Sequence, residues 1–394
     1  MEGKKKRPFN NVFFIGLISF FGGISQDIFV PVLPLYLSNV LHMDKSLIGL
    51  SEGLVTSGAS VFKIIAGYFT DKIKSRKSII FIGYFLSLVS RPLLAVITFT
   101  SGVLGLRFID GIGKGIKDSP KDALIADSTK VENRGKGFGI ARTLDTLGSV
   151  VGPILLFIFM YLLQNHQLKY HIIFFIAATP LFFTLGILTF FVRETPGRVI
   201  DQNKKFSFHL PVRFYIFLAI IGLFSLGNSS DAFLILRAQN VGVSIIAIPL
   251  VYALFNFIYA SASIPLGSLS DRIGREKVIL LGWLVYAIAY LGFGFANKPY
   301  QIWLLFAFYG IFYATTQGVT KAFVADIVPS EDRGKAYGIY NALIGLMALP
   351  SSFIAGLLWD RFTPAAPFFF GSVIAGISAL LLLSSTRLLK SGKI

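Results

Sequence analysis

Apolar residues in this chain run in long blocks rather than in short periodic stripes, as in Ile172–Val192 and Gly371–Leu383. Polar or Gly/Pro-containing breaks divide the chain into twelve such stretches: 9–40, 46–70, 78–99, 101–126, 136–163, 170–192, 212–237, 243–270, 278–296, 300–325, 336–359 and 365–386. A helix needs about 20 apolar residues to cross a bilayer, so each stretch predicts one membrane span. Strands of a membrane barrel would instead alternate apolar and polar positions over about 10 residues. The expected fold is an all-α membrane protein of twelve transmembrane helices.

The pattern also repeats. Ala123–Ile140 (ALIADSTKVENRGKGFGI) and Ala322–Ile339 (AFVADIVPSEDRGKAYGI) are identical at nine of eighteen positions. Gly67 and Asp71 in GYFTDKIKSRK correspond to Gly267 and Asp271 in GSLSDRIGREK, and the SQD that ends at Asp27 parallels the SSD that ends at Asp231. Repeats of this length indicate two bundles of six helices, over 1–192 and 212–394, joined by a polar cytoplasmic linker at 193–211. Parallel repeats of this kind place the substrate near the bilayer midplane between the halves.

Composition agrees, with 54% hydrophobic and only 14% charged residues, too little polar surface for a soluble protein of this length. The net charge of +17 points to nucleic acid only until the basic residues are placed. With a cytoplasmic N-terminus, 24 Lys and Arg fall in the tails, the middle segment and the loops on one side, while Lys45, Lys169, Lys298 and Arg361 lie opposite. That is the positive-inside asymmetry. The basic excess is topogenic, both termini are expected inside, and nucleic acid is not an expected partner. The first apolar stretch is too long for a cleavable signal. Cysteine is absent, and His42, His166, His171 and His209 have no ligand spacing, so no metal site is expected.

GYFTDKIKSRK and GSLSDRIGREK resemble the loop signature of the major facilitator superfamily, between the second and third helices of each half. Arg107-Phe-Ile-Asp-Gly111-Ile-Gly113 is similar to the pattern of its proton-linked members. Gly139, Gly148, Gly152 and Pro153 resemble its antiporter signature, although Leu156 and Phe157 replace the closing glycines. The resemblance implies a proton-linked drug or metabolite antiporter of the bacterial inner (plasma) membrane. It would be a monomer driven by the proton gradient, without a cofactor. The loops with Gly67, Asp71, Arg76, Gly267, Asp271, Arg272 and Arg275 would then act as gates. Small residues at Gly148 and Gly152, with Pro153, also arise from close helix packing alone.

Charge inside a membrane calls for a reason, since each charged residue at a helix centre costs about 2.5–3.5 kcal/mol on insertion scales. The first half holds Asp27, Glu52, Lys63, Arg91, Arg107, Asp110, Lys114, Lys117, Asp118, Arg142 and Asp145; the second holds chiefly Asp231, Arg237 and Lys321. Where the fourth stretch has Asp110, Lys114 and Asp118, the tenth has Tyr309, Tyr313 and Gln317. At about 100° per residue, Arg107, Asp110, Lys114, Lys117 and Asp118 fall within an arc of about 100°. Such a stripe faces a water-filled cavity or a neighbouring helix.

Asp27, Glu52, Arg107 and Asp110 are the candidate proton-coupling residues. Arg91, Lys114, Arg142, Asp145, Asp231, Tyr309, Tyr313 and Gln317 are candidates for the substrate cavity. A carboxylate moved between an apolar surround and an arginine takes up and releases a proton, and Asp27, mid-helix before Pro31 and Pro34, is the first candidate for that role. The plainer reading is a permanent salt bridge of Asp27 or Glu52 with Arg91 or Lys63, and a structural ion-pair network around Lys117, Asp118, Lys121 and Asp122. No grouping of nucleophile, base and metal ligand points to an enzyme. Two functions follow: proton-driven export of a small organic solute, or import or lipid flipping of an anionic metabolite.

The topology is directly testable in a chain free of cysteine. Single cysteines at Gly3, Gly197 and Ser391 are expected to react with an impermeant maleimide only from the cytoplasmic side, and those at His42, Gln164 and Asn297 only from outside. Labelling of Gly197→Cys from outside alone would reverse the assignment.

Overall fold

A computed structural model describes residues 9–73, 75–129, 133–195, 210–330 and 332–390, without the side chains of 9–10, 68–73, 134 and 386–390. The chain forms α1 (Phe9–Asn39), α2 (Lys45–Ile73), α3 (Arg76–Leu94), α4 (Thr100–Asp127), α5 (Arg134–Leu162) and α6 (Lys169–Phe190). The second half forms α7 (Val212–Gly227), α8 (Ala232–Asn240), α9 (Ile248–Ile273), α10 (Arg275–Phe295), α11 (Pro299–Ile327), α12 (Arg333–Arg361) and α13 (Ala366–Lys390). Eleven spans among the described residues are long and apolar enough to cross a membrane, α7 and α8 counting as one span over Val212–Asn240. The twelfth is α4, long enough to cross but more highly charged, so the twelve predicted stretches are all present as helices.

The differences are local. The third helix stops at Leu94 rather than 99, because Pro92 leads into turns in which Ala95 and Val96 bond back to Pro92 and Leu93. The eighth span begins at Ile248 rather than 243, after a turn closed by Ala247 N–H on the Ser244 carbonyl. The seventh span is broken at residues 228–231. Here the two copies differ in length: Asp27 lies twelve residues before Asn39, and Asp231 lies eight before Gln239. The second copy is short by about one helical turn at the point where its helix is interrupted.

The repeat is visible in the packing. α3 packs on α4 and α6, and α10 packs on α11 and α13. Arg76 pairs with Asp127 at the end of α4, and Arg275 pairs with Asp326 at the end of α11. His42 (φ 50°) and Gly242 (φ 96°) hold the same left-handed turn after the first span of each half.

The chain divides into two compact units, Met1–Val32 with Gly58–Lys205, and Leu33–Ser57 with Phe206–Ile394. This division differs from the boundary at 192/212: residues 33–57, the far ends of α1 and α2 with their connecting turn, go with the second unit. Most of the linker at 193–211 lies outside the described residues. Within the second unit α2 is seated tightly on α12. A Cβ at Gly53 would lie 2.6 Å from the Leu349 Cα, and one at Gly49 would collide with the Ser352 carbonyl. The Ser57 hydroxyl donates to the Gly345 carbonyl at 2.7 Å. Asp360 of α12 caps α2, accepting from the N–H groups of Lys45 (3.0 Å) and Ser46 (2.8 Å).

Arg237 owes its place to backbone rather than to a carboxylate. Its guanidinium donates to the carbonyls of Phe293 (3.0 Å), Gly294 (3.1 Å) and Ala296 (2.9 Å) and to Asn240 Oδ1 (2.6 Å). It thereby satisfies the orphan carbonyls at the end of α10. Hydrogen bonds to charged groups contribute about 1.5–3 kcal/mol. Arg237→Met is expected to lower stability by about 2–4 kcal/mol, given the carbonyls left buried and unmet. Denaturation in detergent micelles measures this, and an unchanged midpoint would show the staple to be dispensable.

Candidate functional site

The first unit builds its site around one carboxylate. Asp110 is wholly buried, and three cations meet it: Arg91 (Nε–Oδ1 3.7 Å), Arg107 (Nη1–Oδ2 3.4 Å) and Lys114 (Nζ–Oδ2 3.3 Å). Arg107 and Lys114 stand one turn to either side of Asp110 on α4, where helical spacing brings them together. Arg91 comes from α3, and α1 receives it: its guanidinium donates to Ser25 Oγ and to Gln26 Oε1 (2.8 Å), while Ser25 in turn donates to the Ala177 carbonyl of α6. Both arginines lie against the Phe29 ring, at 5.2 Å and 5.5 Å from its centroid, a contact that offsets part of the desolvation of a buried cation.

The α4 stripe therefore faces neighbouring helices more than open space. Arg91 and Arg107 are 1% and 2% exposed, while Lys114, Lys117 and Asp118 are half-buried. Lys117 lies over the Tyr84 ring at 4.3 Å. Among the described residues of this unit the carboxylate paired with Arg91 is Asp110 rather than Asp27. Arg142 and Asp145 pair with each other at 3.1 Å, with Arg142 largely exposed.

Asp27 sits on the uninterrupted helix α1, buried against α5. The Ser149 hydroxyl lies beside its carboxylate. The antiporter-like residues form the wall behind it: a Cβ at Gly152 would lie 2.9 Å from the Asp27 Cβ and 3.0 Å from the Ile24 carbonyl, and one at Gly148 would strike the Phe20 carbonyl. Only glycine permits this approach of two backbones. Pro153 follows without breaking α5.

The second unit places Asp231 at the break between α7 and α8. Tyr309 donates to its Oδ1 at 2.7 Å and Tyr313 at 3.3 Å. The backbone groups freed by the break find partners: Tyr286 donates to the Gly227 carbonyl (2.8 Å), and the Ser230 N–H donates to Ser352 Oγ (3.2 Å). Glu52, on the part of α2 that belongs to this unit, accepts from the Ser230 hydroxyl at 3.4 Å. Gln317 is exposed one turn beyond Tyr313.

Of the loop residues, Asp271 pairs with Arg275 at 3.2 Å, Arg272 is exposed and no neighbour crowds Gly267. Gly67 lies beside Ser119, and the side chain of Asp71 falls outside the described residues. Arg76 adds to its Asp127 pair a backbone N–H bond to Glu194 (3.1 Å). Asp127, Asp326, Ser149 and Asp360 were not singled out from sequence. The two aspartates stand at matching places in the repeated ALIAD and AFVAD, a signal that was available.

The chain matches the Major Facilitator Superfamily model twice, over residues 15–236 and 214–393. It is 38% identical over 384 residues to an uncharacterized MFS-type transporter of Methanocaldococcus jannaschii, covering 95% of this chain and 94% of that protein. It is 27% identical over 308 residues to the multidrug resistance protein MdtG of Salmonella paratyphi B, covering 73% of each. The crystal structure of a D-xylose–proton symporter superposes with a TM-score of 0.80 at 18% identity, over 98% of this chain and 100% of that one, a likeness of fold alone. Helices, repeat and similarity converge: the chain belongs to the Major Facilitator Superfamily.

Proposed function

We propose that this protein exports a small organic solute in exchange for protons. It would act as a monomer in a bacterial-type inner membrane, with both termini in the cytoplasm and the proton gradient in place of any cofactor. Family membership supports the broader part of this reading, an integral membrane protein that carries out secondary transport by alternating access. The finer part rests on one observation: Asp27 lies directly on the Gly148–Gly152 seam of α5.

That seam ties the proton site to a helix contact. Rocking that shifts α1 against α5 alters the distance of Asp27 from Ser149 and from the cations of α3 and α4, and a carboxylate whose surroundings switch in this way takes up a proton on one side and releases it on the other. A tight glycine seam also limits leak, which favours obligatory exchange over one-way entry. The likeness to a protein named for multidrug resistance supports export. A second reading, import or flipping of an anionic metabolite, draws on a different observation: three cations gather on the single carboxylate of Asp110.

Everted membrane vesicles with an acid interior distinguish the two. A panel of organic cations, neutral drugs and carboxylates is added, and proton efflux is followed by dequenching of a pH-sensitive dye. An exporter yields dequenching with at least one solute. Asp27→Asn is expected to abolish that signal, at least tenfold, with normal protein levels. Gly152→Leu, which forces α1 and α5 apart, is expected to reduce it severalfold. If Asp27→Asn exchanges protons as well as the parent chain, Asp27 is not the carrier. If intact cells instead accumulate a panel solute under an inward proton gradient, the import reading replaces this one.

A further inference from the structure

Among the described residues no cation is paired with the carboxylate of Asp231. Its hydrogen-bond partners are the phenols of Tyr309 and Tyr313. Arg237, the basic residue nearest in sequence, is committed to the carbonyls of α10. A phenol donor steadies a carboxylate but leaves its charge in place. Charges at membrane depth pair with something, and Tyr313 is the central residue of the 29-residue helix α11. Asp231 contrasts with Asp110, which three cations surround.

The surroundings of Asp231 are aromatic. Tyr313 packs against Tyr309 at 5.1 Å between centroids, Phe255 at 5.1 Å and Tyr259 at 5.6 Å. Tyr309 and Phe255 are buried behind, while Asp231, Ser230, Tyr259 and Tyr313 each keep part of their surface accessible. Along the same helix the surface stays open: Gln317 and Gly318 are exposed, and nothing lies within 4 Å of a Cβ built at Gly318. A half-buried aspartate that no described cation compensates, set beside aromatic rings, is the chemistry that recognises an organic ammonium or phosphonium, by ion pairing and by attraction of the cation to the rings. Inorganic cations would call for several converging oxygen ligands instead.

We propose that Asp231, with Tyr259, Tyr309 and Tyr313, binds a lipophilic organic cation. This deepens the export reading by naming the substrate class, and rests on that reading only for the direction in which the cation moves. A cation and a proton compete for the same carboxylate oxygens, the relation that exchange requires. The ionisable groups around Asp231 include Tyr309, Tyr313 and Glu52, with Tyr286 and Tyr290 beyond them.

The test is equilibrium binding of tetraphenylphosphonium to the purified full chain in detergent, without any gradient, beside tetraphenylborate as the anion of matched shape. Expected are saturable binding of the phosphonium, a loss of at least tenfold in Asp231→Asn, and little change in Glu276→Gln, which removes a carboxylate elsewhere in the same unit. Tyr313→Phe, which keeps the ring, is expected to bind within a few-fold of the parent, whereas Tyr313→Leu is expected to lose about tenfold. Should Asp231→Asn not yield a monodisperse protein, the tyrosine pair decides the question. Equal binding by Asp231→Asn and the parent, equal binding by Tyr313→Phe and Tyr313→Leu, or preference for the borate overturns the proposal. Because no gradient is applied, such a failure leaves proton exchange through Asp27 standing, and failure of the vesicle experiment leaves this binding result standing.

Discussion

An ionised carboxylate with no exposed surface persists in an apolar slab only while opposite charge is held against it, and in this protein that carboxylate is Asp110. The requirement reaches far beyond α4. Arg107 and Lys114 come from the same helix, but Arg91 has to be delivered by α3, and its guanidinium has further donors that need acceptors. Ser25 and Gln26 supply them from α1, and Ser25 passes the chain on to a carbonyl of α6. One buried charge thus sets the rotation of four helices. Removal of a single partner would leave a charge stranded, a far larger loss than the net worth of the pair.

The second unit meets the same constraint by other means. Its difficulty is the open backbone at residues 228–231, where a missing helical turn frees N–H and C=O groups at membrane depth. Tyr286 and Ser352 take up two of them, and stacked rings such as Phe224 and Trp283, 4.7 Å apart, fill the space beside the break. The two halves are alike in path and opposite in chemistry. One tolerates charge by neutralising it inside a continuous helix; the other tolerates broken backbone by surrounding it with phenols.

What the sequence revealed follows that division. The spans were legible because a bilayer asks for length and apolarity, both of which are local properties. The duplication was legible from ALIADSTKVENRGKGFGI and its counterpart. The stripe on α4 was legible as an angle on one helix, and its inward orientation was one of the two options the angle left. What stayed hidden depends on distance between elements. Nothing near Asp27 in the chain announces Ser149 or Gly152, and nothing near Lys45 announces that Asp360, more than three hundred residues away, caps α2. Arg237 read only as a membrane charge in need of a reason, because backbone carbonyls at the end of another helix leave no mark in the sequence. The grouping of residues 33–57 with the second half was invisible for the same reason.

Asn39 and Gln239 stand at matching positions of the two repeats, 200 residues apart, and they bond to one another in both directions, at 3.2 Å and 3.0 Å. A residue that meets its own counterpart must suit itself. Lysine against lysine or aspartate against aspartate would repel, whereas a carboxamide offers one donor and one acceptor to an identical group. The two repeats therefore meet here through like groups, while Asp27 and Asp231, on the same pair of spans, stand in different surroundings.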